Sequence, residues 1–179
     1  IPGVHPKGAY FARGSGHDKH GRYTEDEAAY TEVLLRIARK IEGAAVHLPE
    51  PVVRLAAAAG GRPTRFSVVS VGGTDRAIRE AQDILAAEGV HLDFMRIRGF
   101  PFHPTVKDFL EAHERSFVVE QNRDGQLATL LTAEAAFPRN RLESVLAFGG
   151  MPLSASDVVG PVREYLNGGR PAQRRLSES

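Results

Sequence analysis

From Phe66 onward the chain alternates short apolar runs with amphipathic stretches, and that alternation leaves few folds open. Phe66–Val71, His91–Ile97, Ser116–Glu120 and Ser144–Phe148 read as strands. Runs this apolar, with little polar alternation, belong to strands covered on both faces. Between them lie helical patterns. Thr74 opens one with Ala77, Ile78, Ala81, Ile84 and Leu85 on its buried face, and Gly89 stops it. Pro104–His113 turns Val106, Phe109 and Leu110 inward, and Gly125–Glu134 does the same with Leu127, Leu130 and Leu131. Ser154 or Ser156 caps a last helix carrying Val158, Val159, Val162 and Leu166, with Pro161 early enough in it to be tolerated. Strands alternating with helices predict an α/β fold with a mostly parallel sheet and helices on both faces. No internal repeat is evident.

The first third of the chain is different. Ile1–Asp26 holds three of the seven histidines (His5, His17, His20) and five glycines, and has no amphipathic period. It begins at Ile1 rather than at a methionine, so a piece of a longer polypeptide is expected. Thr24 and Glu27 have the spacing of a capping box. The helix after them lines up Tyr30, Val33, Leu34, Ile37, Ala38 and Ile41, and ends near Gly43. The expected organisation is therefore a polar loop and helix extension over 1–47, a Pro- and Gly-containing connector over 48–65, an α/β/α domain over 66–167 and a disordered tail over 168–179. Within the connector, Val52–Ala59 fits either a short strand or a helical turn.

Several classes are excluded or left unsupported. The chain has no cysteine, so it has no disulfide, thiolate metal site or cysteine-ligated iron–sulfur cluster of its own. That composition fits a reducing cytoplasm, and a cytoplasmic location is expected. A net charge of +1 makes no case for nucleic acid or an anionic membrane. No apolar run reaches the roughly eighteen residues a membrane span needs.

In a parallel α/β sheet, ligands and partners meet the carboxyl ends of the strands. Four turns should gather there: Gly72–Asp75, Gly99–Phe102, Gln121–Gln126 and Gly149–Pro152. Gly72 and Gly73 would let backbone amides approach a ligand, with the helix N-terminus after Thr74 favouring an anion. A tight strand-to-helix turn explains the same residues, the pattern is no dinucleotide or P-loop motif, and Asp75 would repel phosphate. Gln121, Asn122 and Gln126 offer amide donors and acceptors suited to an interface or a carbonyl-bearing ligand. A solvated loop with Asp124 capping the next helix fits equally. His17 beside Asp18 suggests an acid–base pair, although neighbours in sequence seldom bond each other well. His5, His17, His20 and Asp18 match no strong metal-ligand spacing, and no metal site is expected. Arg96 and Arg98 could hold a carboxylate or form structural ion pairs, and Phe100-Pro101-Phe102 suits a docking knob or simple packing.

Five segments together, Ile1–Asp26, Val71–Leu85, Arg96–Pro104, Val118–Leu127 and Gly150–Val158, resemble the C-terminal region of the alpha subunit of 2-oxoacid:ferredoxin oxidoreductases, most of all the 2-oxoglutarate branch. The resemblance spans roughly residues 1–166 and is most specific over Gly14–Asp26 and Glu120–Leu127. It implies a three-layer α/β/α sandwich similar to the transketolase C-terminal domain. It further implies an enzyme that oxidatively decarboxylates a 2-oxoacid, uses thiamine diphosphate with Mg2+, passes electrons through an iron–sulfur cluster to ferredoxin and forms an acyl-CoA from coenzyme A. The family's alpha-subunit Tyr-Pro-Ile-Thr-Pro motif is absent here and belongs upstream. By the same resemblance the thiamine site, magnesium and cluster lie with the beta subunit, and this piece binds no cofactor alone and is inactive in isolation. Its implied partners are the upstream alpha-subunit domains, the beta subunit and ferredoxin. Its implied work is to build subunit contacts, shape the substrate channel and aid access of coenzyme A, with His17, Asp18, Gln121, Asn122, Gly125 and Gln126 as channel or interface residues. The rival is an independent Rossmann-like module holding a nucleotide or other anion at Gly72, Gly73 and Thr74.

Overall fold

A computed structural model describes residues 3–8, 16–56 and 63–169. The chain divides into two compact units, Ile1–Ala44 and Ala45–Ser179. The expected tail beyond residue 169, residues 1–2 and 9–15 and the connector residues 57–62 lie outside the described residues.

In the first unit, His17 bridges Tyr23 in an antiparallel pair, and helix α1 (Glu27–Ala44) follows. Its start differs from the expected Thr24–Glu27 box. Asp26 accepts from the Ala29 amide at 2.7 Å, three residues into the turn, while Thr24 Oγ1 accepts from the Asp26 amide at 3.0 Å. A carboxylate immediately before the helix reaches the free N–H groups better than a hydroxyl two residues further away.

The second unit is a five-stranded sheet in the order β1-β3-β2-β4-β5. Its strands are β1 (Val52–Arg54), β2 (Phe66–Val71), β3 (Leu92–Ile97), β4 (Arg115–Glu120) and β5 (Leu142–Leu146). β2 to β5 are parallel, and β1 runs antiparallel to β3 with Val53 opposite Met95. The open part of the connector reading thus resolves to a strand over Val52–Arg54. β5 begins two residues earlier than expected, because Leu142 and Val145 are the residues it buries.

Helices α2 (Asp75–Ala87), α3 (Pro104–Glu111), α4 (Gln126–Glu134) and α5 (Ser156–Leu166) complete the unit. Side chains alternate across each strand, so the sheet has two apolar faces. On one, Val68, Phe94, Phe117 and Val119 pack against Ile78 and Leu85 of α2 and Val158 and Val162 of α5. On the other, Val69, Met95 and Val118 pack against Val106 and Leu110 of α3 and Leu127 and Leu131 of α4. This is the three-layer α/β/α sandwich. Phe117, fully buried, sits edge-on to Tyr165 at 5.3 Å between centroids.

Several helix ends depart from the local reading. Thr74 precedes α2 in helical backbone (φ −77°, ψ −4°) and makes no side-chain cap bond. The Gly72–Thr74 turn is already wound, so the hydroxyl cannot reach forward as an extended cap residue would. Before α5, Ala155 stands at the cap position without a side-chain cap bond; Asp157 reaches back to accept from the Ser154 amide at 2.9 Å and hydroxyl at 2.7 Å, and the Ser154 carbonyl accepts from the Asp157 amide at 3.2 Å. Pro161 lies inside α5, beyond its first turn. Leu130 is only half-buried, and Ala128 takes the inward place beside Leu127 and Leu131. No helix among the described residues is long and apolar enough to cross a membrane.

Candidate functional site

The path between strands fixes where a cleft can open. After β2 the chain crosses to β3 on one side, then returns past β2 to β4 on the other. The carboxyl ends of β2 and β4 flank this reversal, which in open α/β sheets is where a crevice forms. Gly72–Thr74 follows β2 there, and Gln121–Gln126 follows β4.

On the β2 side, Gly72 has φ +76°, a conformation that suits glycine. Gly73 has no such backbone, and a Cβ there would meet nothing within 4 Å. Below the turn, Ser70 Oγ and Thr74 Oγ1 are buried with no hydrogen-bond partner among the described residues. The first turn of α2 already carries Asp75, paired with Arg54 at 2.7 Å, and the Arg54 guanidinium lies 4.2 Å over the Phe94 ring. A carboxylate in that place competes with an incoming anion for the helix N-terminus.

The β4 side is built around Glu120, which has 3% exposure. Its carboxylate accepts from the Leu127 amide at 2.6 Å and the Ala128 amide at 3.1 Å, so it caps α4 from seven and eight residues upstream. Gly125 turns the chain into the helix with φ +63°. Asn122 donates to Glu120 at 2.8 Å and accepts from the Asp124 and Gln126 amides at 3.1 and 3.2 Å. Asp124 therefore does not cap the helix. The amide-rich loop splits into two parts: Asn122 serves the turn, while the side chains of Gln121 and Gln126 are exposed and hydrogen-bond nothing among the described residues.

Large apolar side chains also stand exposed along this edge. Val71 ends β2, Phe100 follows β3 and Met151 follows β5, at 48%, 49% and 78% exposure. Phe100 packs edge-on to Phe102 at 5.3 Å. Arg98 reaches toward the Glu50 carbonyl at 3.5 Å, and Arg96 is half-buried. At Gly99 a Cβ would lie 3.0 Å from Leu48 Cδ1, so a larger residue there would require the Leu48 side chain to yield by a few tenths of an ångström.

The other expected site residues, His17 and Asp18, belong to the first unit. The structure does not form the acid–base pair. Asp18 Oδ1 accepts from the His20 and Arg22 amides at 2.8 and 3.0 Å, and His17 Nδ1 lies 2.9 Å from the Asp18 carbonyl oxygen instead of its carboxylate. The Arg22 amide bond is the main reason the Asp18 carboxyl is held below its ordinary range, with desolvation opposing it. Asp18 is the clasp of a tight loop. Gly16 fits only as glycine, because a Cβ would come within 2.8 Å of the Tyr30 ring and 3.0 Å of the Thr24 carbonyl. Among the described residues no group of three or more His, Cys, Asp or Glu side chains could hold a metal ion.

One buried polar centre escaped the sequence reading. Asp93 and His113 are almost wholly buried, with Nε2 to Oδ2 at 3.0 Å. His113 Nδ1 lies 2.6 Å from the Phe109 carbonyl, which can only accept, so that nitrogen carries a hydrogen. Asp93 also accepts from the Ala56 amide at 2.7 Å and the Thr64 amide at 2.9 Å. It thereby ties Ala56, just after β1, and Thr64, just before β2, to the amino edge of the sheet, opposite the crevice. Residues so distant in sequence share no local motif that would mark them.

No family model matches the chain. Among curated proteins, the alpha subunit of 2-oxoacid:ferredoxin oxidoreductase 2 from Aeropyrum pernix is 32% identical over 158 residues, covering 87% of this chain. The chain spans only 24% of that relative's length. Among solved structures, the 2-oxoglutarate:ferredoxin oxidoreductase of Magnetococcus marinus, with 2-oxoglutarate, coenzyme A and succinyl-CoA bound, matches with a TM-score of 0.72 at 22% identity, over 91% of this chain and 27% of its own. A split-gene transketolase, an inactive beta4 tetramer, matches with a TM-score of 0.51 at 16% identity, over 65% of this chain and 42% of its own.

Proposed function

This chain is an alpha-subunit-like domain of the 2-oxoacid:ferredoxin oxidoreductase family, with the layered fold of a transketolase C-terminal domain, and on that premise we propose that it is the assembly domain of a thiamine-diphosphate-dependent enzyme that converts a 2-oxoacid, coenzyme A and oxidised ferredoxin to acyl-CoA, CO2 and reduced ferredoxin. The preferred substrate in this reading is 2-oxoglutarate. The domain contributes subunit contacts and the wall of the substrate channel. The observation that carries the reading is the carboxyl edge of the sheet, where Val71, Phe100 and Met151 are exposed beside the unengaged amides of Gln121 and Gln126. Exposed apolar side chains ringed by polar ones are the makeup of a contact surface.

The described residues do not fit a thiamine diphosphate–magnesium site or an iron–sulfur cluster. Cysteine is absent, and the buried carboxylates Asp93 and Glu120 are already engaged by donors of the fold itself. No chemical step is therefore assigned to its side chains, and those groups are supplied by partner parts of the enzyme. The nucleotide-module reading is weaker, because Asp75 places a carboxylate at the helix end that a phosphate would need.

The test is Met151→Asp combined with Phe100→Asp in the complete enzyme, followed by native mass spectrometry and turnover of 2-oxoglutarate. Both side chains are exposed, so the chain itself should fold as before. The expected result is loss of the assembled complex and of activity in proportion. An intact complex turning over at the unmodified rate would remove this edge from the interface.

A further inference from the structure

The first unit concentrates positive charge around one cavity. A cavity of about 620 Å³ is lined by Lys7, His17, Asp18, Lys19, His20, Gly21, Arg22 and Arg36. Four cations thus face a single carboxylate. That carboxylate, Asp18, has one oxygen committed to two backbone amides, and serves to fold the loop that presents Lys19 and Arg22. Elsewhere Arg54, Arg65, Arg115, Arg123 and Arg163 each pair with an acid. None of Lys7, Lys19, Arg22 and Arg36 forms an ion pair among the described residues. The whole chain carries a net charge of only +1, so this is a local arrangement and not a generally basic surface.

Like charges held around one concavity repel one another and favour an anion between them. Arginine matches phosphate oxygens in a forked geometry, and lysine adds a mobile point charge. We infer that this cavity is a binding site for a small phosphorylated anion, with Arg22, Lys19 and Arg36 as the principal contacts. A concavity of this size has room for a small phosphorylated molecule, whereas an acidic protein segment would be expected to meet a flatter and more extended surface. The site lies in the first unit and does not depend on the contact role of the sheet edge.

The experiment is isothermal titration calorimetry of the 179-residue chain with inorganic pyrophosphate, in parallel with inorganic phosphate, ADP and a poly-glutamate peptide, at low and at raised salt. Binding of pyrophosphate is expected to weaken at raised salt. Arg22→Ala, Lys19→Glu and Arg36→Ala should each weaken it about tenfold, while Lys107→Ala on α3 should leave it unchanged. The three substitutions are at exposed side chains on two separate elements, and a urea midpoint for each verifies folding. ADP binding more tightly than pyrophosphate would identify a nucleotide as the natural source, and equal binding a free phosphate compound. The inference is overturned if pyrophosphate does not bind at millimolar concentration, if Lys107→Ala weakens it as much as the others, or if only the acidic peptide binds.

Discussion

Glu120 shows how one side chain can set a loop. An acidic residue at the end of a buried strand reads as the start of solvent, yet its carboxylate is almost wholly enclosed and holds two amides of the following helix. Replacing it by alanine leaves two buried N–H groups without acceptors, each costing about 1–3 kcal/mol. Glu120→Ala should lower unfolding free energy by about 3 kcal/mol in urea, while Gln121→Ala, exposed in the same loop, should change it by less than about 0.5 kcal/mol. Equal effects of the two would mean that the carboxylate is not the cap. The same contrast explains why the loop's role was only partly legible. Its polarity was plain, but the division between Asn122, spent on the turn, and the free Gln121 and Gln126 depends on a hydrogen bond to a residue outside the loop.

At the scale of elements, helix α4 is entered and left through left-handed residues. Gly125 enters it at φ +63°, and Ala136 lies beyond its end at φ 49°. The first suits its residue and the second does not. An L-residue in that region carries a penalty of about 1–2 kcal/mol, partly offset in a glycine variant by the extra freedom of the unfolded chain. Ala136→Gly should therefore stabilise the protein by up to about 1 kcal/mol, and Gly125→Ala should destabilise it by a similar amount; differential scanning calorimetry on the pair checks the opposite signs. The elements themselves were largely legible. β2, β3 and β4 must be apolar on both faces to lie between two helical layers, and that demand writes itself as runs such as Val68-Val69 and Phe117-Val118-Val119. β1 was left open because three residues are too few to show a period. β5 was placed late because Glu143 and Ser144 interrupt its apolar run. Helix caps were misread where another acid served: Glu120 caps α4 in place of Asp124, and Asp26 caps α1 in place of Thr24.

Across the whole molecule, exposed ion pairs tie elements that are remote in sequence. Arg163 of α5 holds Glu88 beyond α2, and Arg65 before β2 holds Glu114 before β4. The guanidinium hydrogen bond is the main reason each carboxyl is held below its ordinary value of 4.5. A carboxyl with a lowered folded pKa stabilises the fold above its unfolded value and ceases to do so as pH falls through the folded one. The urea midpoint of Glu88→Gln should consequently lie below that of the unmodified protein at pH 7, and the gap should close on acidification below about 4.5 and at high salt. A gap that persists unchanged to pH 3 would show that Glu88 acts through packing and not through charge. Met151 has a different consequence. The chain contains two methionines and no cysteine; Met95 is fully enclosed in the core, and Met151 stands 78% exposed at the carboxyl edge. Thioether oxidation follows access. Mild peroxide will therefore write a single sulfoxide into the folded chain, on the edge proposed above as a contact face, so that the protein carries its own footprinting label for whatever covers that edge.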